Sequence, residues 1–364
     1  MKKKILSLVL TAALLLSVPG CSKKPAETTT PAVETVVTDA ETTTTASDAT
    51  TTTPETTVSE AAATSPEREY TGEELYDGEL TPAVWKVTDR KSGNSLYMMG
   101  TIHLIPDTKD IVPQYMLDIY ENSDGVAVEY DVTRLSGDMV AAIQYLSYYV
   151  LDDGSAITDH ISQETYERAK AYLTDAGLYQ EGFEAYNSAY WESLVSNAAL
   201  LKIEGMSESG IDTYFIGLAK NDGKEVRDIE RLETQMDALT LLSDGYNEYA
   251  INSLLDDLEE ENGYEEFKDS FLELYTAWAQ GDIDVFGTME DAASDEIPDE
   301  YADEYAEYNR RLLDERNIGM ADVAEQYIKN GDNIFYMVGF GHFCGDGSVI
   351  DLLAQRGYTV ERIY

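Results

Sequence analysis

Histidine is scarce in this sequence, with three in 364 residues, and so are cysteine (two), tryptophan (three) and proline (nine). Two cysteines, Cys21 and Cys344, exclude a disulfide framework. Positive charge is also short: 25 Lys and Arg stand against 70 Asp and Glu, a formal net charge of −45. Without a basic surplus there are no counterions to release from a phosphate backbone, which excludes nucleic-acid binding by charge neutralisation. The same deficit excludes attachment to an anionic membrane through a polybasic patch. What is abundant excludes the opposite extreme. An apolar fraction of 43% and 26 tyrosines are too rich for a wholly disordered chain.

The N-terminal segment reads as an address. Lys2, Lys3 and Lys4 precede an apolar run from Ile5 to Val18. That run is shorter than the roughly 20 residues needed to span a bilayer. It ends in Val18-Pro19-Gly20-Cys21, which resembles the lipobox of bacterial lipoproteins. The expectation is a signal peptide over residues 1–20, lipidation of Cys21, and a chain anchored outside the cytoplasmic membrane by acyl groups. Residues 21–78 read as a disordered tether, because 15 of the 30 residues from Thr28 to Thr57 are threonine and no apolar period exists to build a core. Residues 79–364 remain for one globular domain, long enough for a sizeable core.

Within that domain, short apolar runs predict strands at Trp85–Thr88, Leu96–Met99, Val126–Glu129, Glu225–Ile229, Ile334–Val338 and Thr359–Ile363. Gly93-Asn94 predicts a hairpin turn between the first two. Helical patterns cover Leu135–Ala219, with Tyr166–Leu173 ending at Ala176-Gly177, and continue over Thr234–Leu242, Glu265–Ala279 and Tyr301–Tyr327. Acid runs such as Asp256–Glu261 read as solvated surface. The fold class is α/β (α+β): a mixed sheet built from both ends of the globular chain, with a large helical insertion at about 135–220 and 240–330.

Two of the three histidines share one frame. Gly100-Thr101-Ile102-His103 follows Leu96–Met99, and Gly339-Phe340-Gly341-His342 follows Phe335–Val338. An apolar strand, a glycine that lets the chain turn closely, then His places an imidazole beyond a strand's carboxyl end, where open α/β sheets bind ligands. Glu129 follows Val126-Ala127-Val128, and Glu230 follows Val226–Ile229. If those strands lie side by side in parallel, one crevice receives His103, Glu129, Glu230 and His342. Two neutral imidazoles with one or two carboxylates suit a divalent zinc, manganese or cobalt ion. A remaining carboxylate would then transfer protons. Cys344 reads as a structural thiol and His160 as a helix-start residue outside the site.

These motifs resemble the TraB/GumN family, which is related to the Tiki metalloproteases. Gly100–His103 and Val338–His342 match its paired histidine motifs, and Val128-Glu129 its strand-end glutamate. Gly210–Phe215, Asp228–Gln235 and Arg316-Asn317 with Met320-Ala321 resemble further blocks, in the family's order. Asp228 and Arg231 stand where the family usually has Gly and Thr. The resemblance implies a metal-dependent hydrolase, a peptidase acting on peptides or proteins, with metal ligands His103, Glu129 and His342. Glu129 is implied as ligand or proton-transfer group, and Glu230 as a second acid. Arg316 is implied to stabilise an oxyanion or hold a substrate carboxylate, and Asn317 to support a loop. A surface lipoprotein that binds a peptide or signal without cleaving it is the alternative.

Overall fold

A computed structural model describes residues 80–106, 112–204, 206–207 and 210–364. The expected leader, Cys21 and the threonine-rich tether lie outside the described residues. The strands are β1 (Val84–Thr88), β2 (Ser95–Thr101), β3 (Ile105–Pro106), β4 (Gly125–Val128), β5 (Met206–Ser207), β6 (Glu225–Asp228), β7 (Ile334–Gly339) and β8 (Thr359–Arg362). Six of them form one mixed sheet in the order β6-β4-β7-β2-β1-β8. The first four in that order are mutually parallel, whereas β1 runs antiparallel to both β2 and β8. The carboxyl ends of β2, β4, β6 and β7 therefore share one edge.

Sequence explains that arrangement locally. Every residue of β4 and β7 is buried, as continuous apolar strands covered on both faces should be. Period-2 alternation then divides their side chains. Met98, Ala127, Tyr336 and Val338 pack with Met320, Ala324 and Ile328 of helix Glu315–Asn330 and with Val349 and Leu353 of helix Val349–Gln355. Met99, Val126, Val128, Phe335 and Met337 belong to the larger core formed with the helical insertion. Each fully buried aliphatic side chain of this kind contributes about 1.5–3 kcal/mol relative to exposure. The β1–β2 hairpin turns where expected: Asp89 accepts from the N–H groups of Lys91 and Ser92, and Gly93 takes a φ of 79°.

The insertion is mostly helical. Helix Gln163–Asp175 is capped by the Ser162 hydroxyl and stops at Ala176-Gly177. Helix Gly263–Gln280 sends the Trp278 indole N–H to the Gly100 carbonyl at 2.9 Å, tying the insertion to the end of β2. Three details differ from expectation. The region read as helical throughout contains β5, which pairs antiparallel with β3. The helix expected at Thr234–Leu242 spans Leu232–Leu239. Asp257 is buried inside the acid run, and the turn to Gly263 approaches its backbone carbonyl closely.

Candidate active site

The shared carboxyl edge brings the predicted residues together. His103 lies two residues past β2 and His342 three past β7. Glu129 follows β4 directly, and Glu230 lies two past β6. Glycines make this convergence possible. A Cβ on Gly100 would stand 2.9 Å from the Phe340 α-carbon, so the turn carrying His342 can close over β2 only without one. A Cβ on Gly210 would stand 2.6 Å from the His103 α-carbon. At that contact the Ile211 N–H donates to the Ile102 carbonyl at 3.1 Å.

Each imidazole is oriented through Nδ1. His342, with no exposed surface, lies 2.7 Å through Nδ1 from Asn317 Oδ1. The Asn317 amide nitrogen donates to the Gly347 carbonyl at 3.1 Å, so Oδ1 is the face left for histidine. The Nδ1 proton then occupies that bond and Nε2 keeps a lone pair. Nε2 is buried without a hydrogen-bond partner among the described residues and faces Glu129 Oε1 at 3.7 Å. His103 Nδ1 lies 3.1 Å from Asp212 Oδ2, in the first turn of helix Ile211–Asp222. His103, Glu129 and Asp212 line a cavity of about 10 Å³ with Val128, Val132 and Met337, room for roughly one water or ion.

Arg316 sits beneath the acids, 5% exposed. Its Nη2 donates to Glu129 Oε2 at 2.5 Å and to Glu230 Oε2 at 2.9 Å, and its Nε reaches Glu230 Oε2 at 3.0 Å. Nη1 donates to the Leu312 carbonyl at 3.2 Å. The guanidinium is thus engaged by the two glutamates and the Leu312 carbonyl. Glu129 also accepts from the Gly339 N–H at 2.6 Å and from Gln235 Nε2 at 3.2 Å.

These contacts set the charges. Burial pulls the Glu129 pKa up, but Arg316 first, then His342 and the Gly339 N–H, outweigh it and hold the group at about 2. Burial dominates at Glu230, whose pKa is raised despite Arg316 and with a further push from Glu129. Burial, with Arg316 adding to it, lowers the His342 pKa to about 3, so that ring is neutral. Burial opposes protonation of His103, but Asp212 outweighs it and the pKa is raised.

Among the described residues no three His, Cys, Asp or Glu side chains stand close enough to form a finished metal ligand set. The donor chemistry nevertheless fits a divalent ion. Two imidazoles hold their Nδ1 against an amide or carboxylate oxygen and leave Nε2, the pattern that carboxylates and carbonyls impose on ligating histidines. One of those Nε2 atoms is orphaned beside an ionised carboxylate.

Asp212, Gln235 and the Gly339 N–H carry roles that sequence reasoning did not assign, although the Gly210–Phe215 and Asp228–Gln235 blocks contained the first two. Asn317, expected to support a loop, both holds the Gly347 loop and orients His342. His160 contacts Ser155 and Asp244 instead of the cleft. Cys344 is buried, with Sγ 3.3 Å from the Phe340 carbonyl.

The TraB/PrgY/gumN family model matches residues 83–362. The chain is 23% identical over 325 aligned residues to a Danio rerio protein named Metalloprotease TIKI2, covering 78% of this chain and 61% of that one. It is 25% identical over 324 residues to Metalloprotease TIKI1 of Danio rerio, covering 78% and 63%. It is 24% identical over 325 residues to Metalloprotease TIKI1 of Homo sapiens, covering 78% and 62%. The chain thus spans about three-fifths of the length of these relatives. No solved structure matches it.

Proposed function

The chain belongs to the TraB/PrgY/gumN family, and from that membership and the cleft we propose that it is a metal-dependent hydrolase cleaving peptide bonds. The observation that carries the reading is the buried, unpartnered Nε2 of His342, 3.7 Å from an ionised Glu129 oxygen. Supporting it are the names of the relatives, which are metalloproteases. His342, His103 and Glu129 would hold a zinc, manganese or cobalt ion. Such an ion, when bound, supplies an acidified water and a Lewis acid for a carbonyl.

The chain's own groups prepare that reaction. Asn317 and Asp212 fix the two rings, so neither must reorient. Arg316 and the Gly339 N–H hold Glu129 with one oxygen toward His342. Glu230, gripped by the same guanidinium, is the second acid and the proton-transfer candidate in this reading. The Lys2–Lys4 stretch, the Ile5–Val18 run and Cys21 support an exported protein, lipid-anchored to the outer side of the cytoplasmic membrane and meeting peptide or protein substrates there.

Metal analysis of wild type, His103→Ala and His342→Ala tests the centre, together with cleavage of a peptide library before and after chelation. Wild type should carry metal and lose activity on chelation, and each variant should carry less metal. Equal metal in all three, or full activity in His103→Ala, defeats the proposal. For the anchor, Cys21→Ala should move the protein from the membrane to the soluble fraction.

A further inference from the structure

The third histidine belongs to a different constellation. His160 follows a short 3-10 turn at Ile157–Asp159, and its side chain meets Ser155 and Asp244, not residues of the cleft. Its Nδ1 lies 2.8 Å from Asp244 Oδ2, and its Nε2 lies 2.8 Å from the Ser155 hydroxyl. A carboxylate only accepts, so this pairing places the Nδ1 proton toward Asp244. The Ser155 hydroxyl, which donates to Asp153 Oδ1 at 2.5 Å, stands within reach of Nε2 and can give its proton there once it turns from that carboxylate. Asp244 is itself oriented. Its other oxygen accepts from the Ser188 hydroxyl at 2.5 Å, and Ser188 accepts from Asn247 Nδ2 at 3.0 Å. Ser188 and Asn247 are both 2% exposed. Contacts therefore link a fixed interior to a half-buried hydroxyl: Asn247 and Ser188 donate toward Asp244 from one side, His160 donates to it from the other, and Ser155 lies beyond the ring.

We propose that Ser155, His160 and Asp244 form a second nucleophilic site, independent of the cleft, at which Ser155 takes up an activated acyl or phosphonyl group. The order of contacts is the one that activates a serine: nucleophile to the distal ring nitrogen, carboxylate to the proximal one. The His160 side chain is 23% exposed and that of Asp244 is 43% exposed, so a reagent can reach the pair. In the step itself, Ser155 Oγ forms a bond to the acyl carbon or phosphorus, and its proton passes to His160 Nε2. The bond to the leaving group breaks with its electron pair. The leaving group departs as an alkoxide that collects that proton, or as fluoride, in which case the proton passes to water. The resting hydroxyl donates to Asp153 Oδ1 at 2.5 Å, so the rate is set by how often it turns its proton to His160 instead.

The test uses the full chain and a fluorophosphonate probe, read by intact mass and by peptide mapping. Wild type should gain one phosphonyl group on Ser155, and Ser155→Ala should gain none there. His160→Gln should label roughly a hundredfold more slowly, the usual worth of a general base. Asp244→Asn keeps the shape but can present an N–H to His160 Nδ1. It should slow labelling as strongly while circular dichroism and Tm stay near wild type. Chelation and His342→Ala should leave the rate unchanged. An unmodified Ser155 in wild type overturns the proposal, and so does wild-type labelling in Asp244→Asn.

Discussion

The Nδ1 atom of His342 lies 2.7 Å from Asn317 Oδ1, and that contact decides which nitrogen the ring turns toward Glu129. Asn317 can make it because its own amide group is committed to Gly347. Removing this partner frees the ring to rotate and to exchange tautomers. Asn317→Ala should weaken metal affinity about 10- to 100-fold, the usual cost of losing such a support, and Asn317→Asp should restore most of it. Competition against a chromogenic chelator measures both. An unchanged affinity in Asn317→Ala would show that the amide orients nothing.

Arg316 pairs one guanidinium with two partly buried acids. Arg316→Met would leave both carboxylates without a counter-charge, which costs about 3–5 kcal/mol when a buried pair is broken. Urea unfolding should show that loss. Adding Glu230→Gln should recover part of it, since one of the two stranded charges is then gone. A double variant no more stable than Arg316→Met alone would place the cost in lost packing.

Stability should fall on acidification, for two reasons of the same sign. The Glu129 pKa is held at about 2, below its ordinary value, so its contribution is present above about 4.5 and is lost as pH falls toward 2. His342 is lowered to about 3, so between about 6.5 and 3 the unfolded chain binds a proton that the folded chain refuses. The slope is on the order of a kcal/mol per pH unit for one such group. His342→Gln should flatten the urea-unfolding profile between pH 6 and 4.5, where Glu129 has little effect. An identical slope would assign the acid sensitivity elsewhere.

Glu192 works in the opposite direction. It is 7% exposed, its carboxyl meets the Ser196 hydroxyl, and burial raises its pKa to about 7. A raised carboxyl favours the fold at low pH and loses that advantage as pH rises from about 4.5 to 7. Glu192→Gln should therefore gain on wild type steadily over that window. Thermal unfolding at pH 4.5, 6 and 7.5 reads the trend, and a constant difference would contradict it.

Gly210 is the hinge of contact between helix Ile211–Asp222 and the His103 turn. A methyl group there would stand 2.6 Å from both the His103 α-carbon and the Ile102 carbonyl oxygen. Gly210→Ala should cost about 1–3 kcal/mol by overpacking and reduce activity further by moving Asp212 away from His103. Gly137→Ala, where a Cβ meets nothing within 4 Å, is the control and should leave activity unchanged.

The sequence by itself determined the six sheet strands, the hairpin at Gly93-Asn94 and the four chemical groups at strand ends. Those features are local: short apolar runs, glycines and the residues that follow them lie within a few positions of one another. Tertiary structure alone decided the partners. Arg316 meets Glu129 across 187 residues of chain, and His160 meets Asp244 across 84. The acid run around Asp257 points to surface, yet Asp257 is buried. No local pattern encodes such pairings, because they depend on which helix packs over which strand end and in what register. The same limit applied to Arg316, whose charge was legible while its engagement by two glutamates was not.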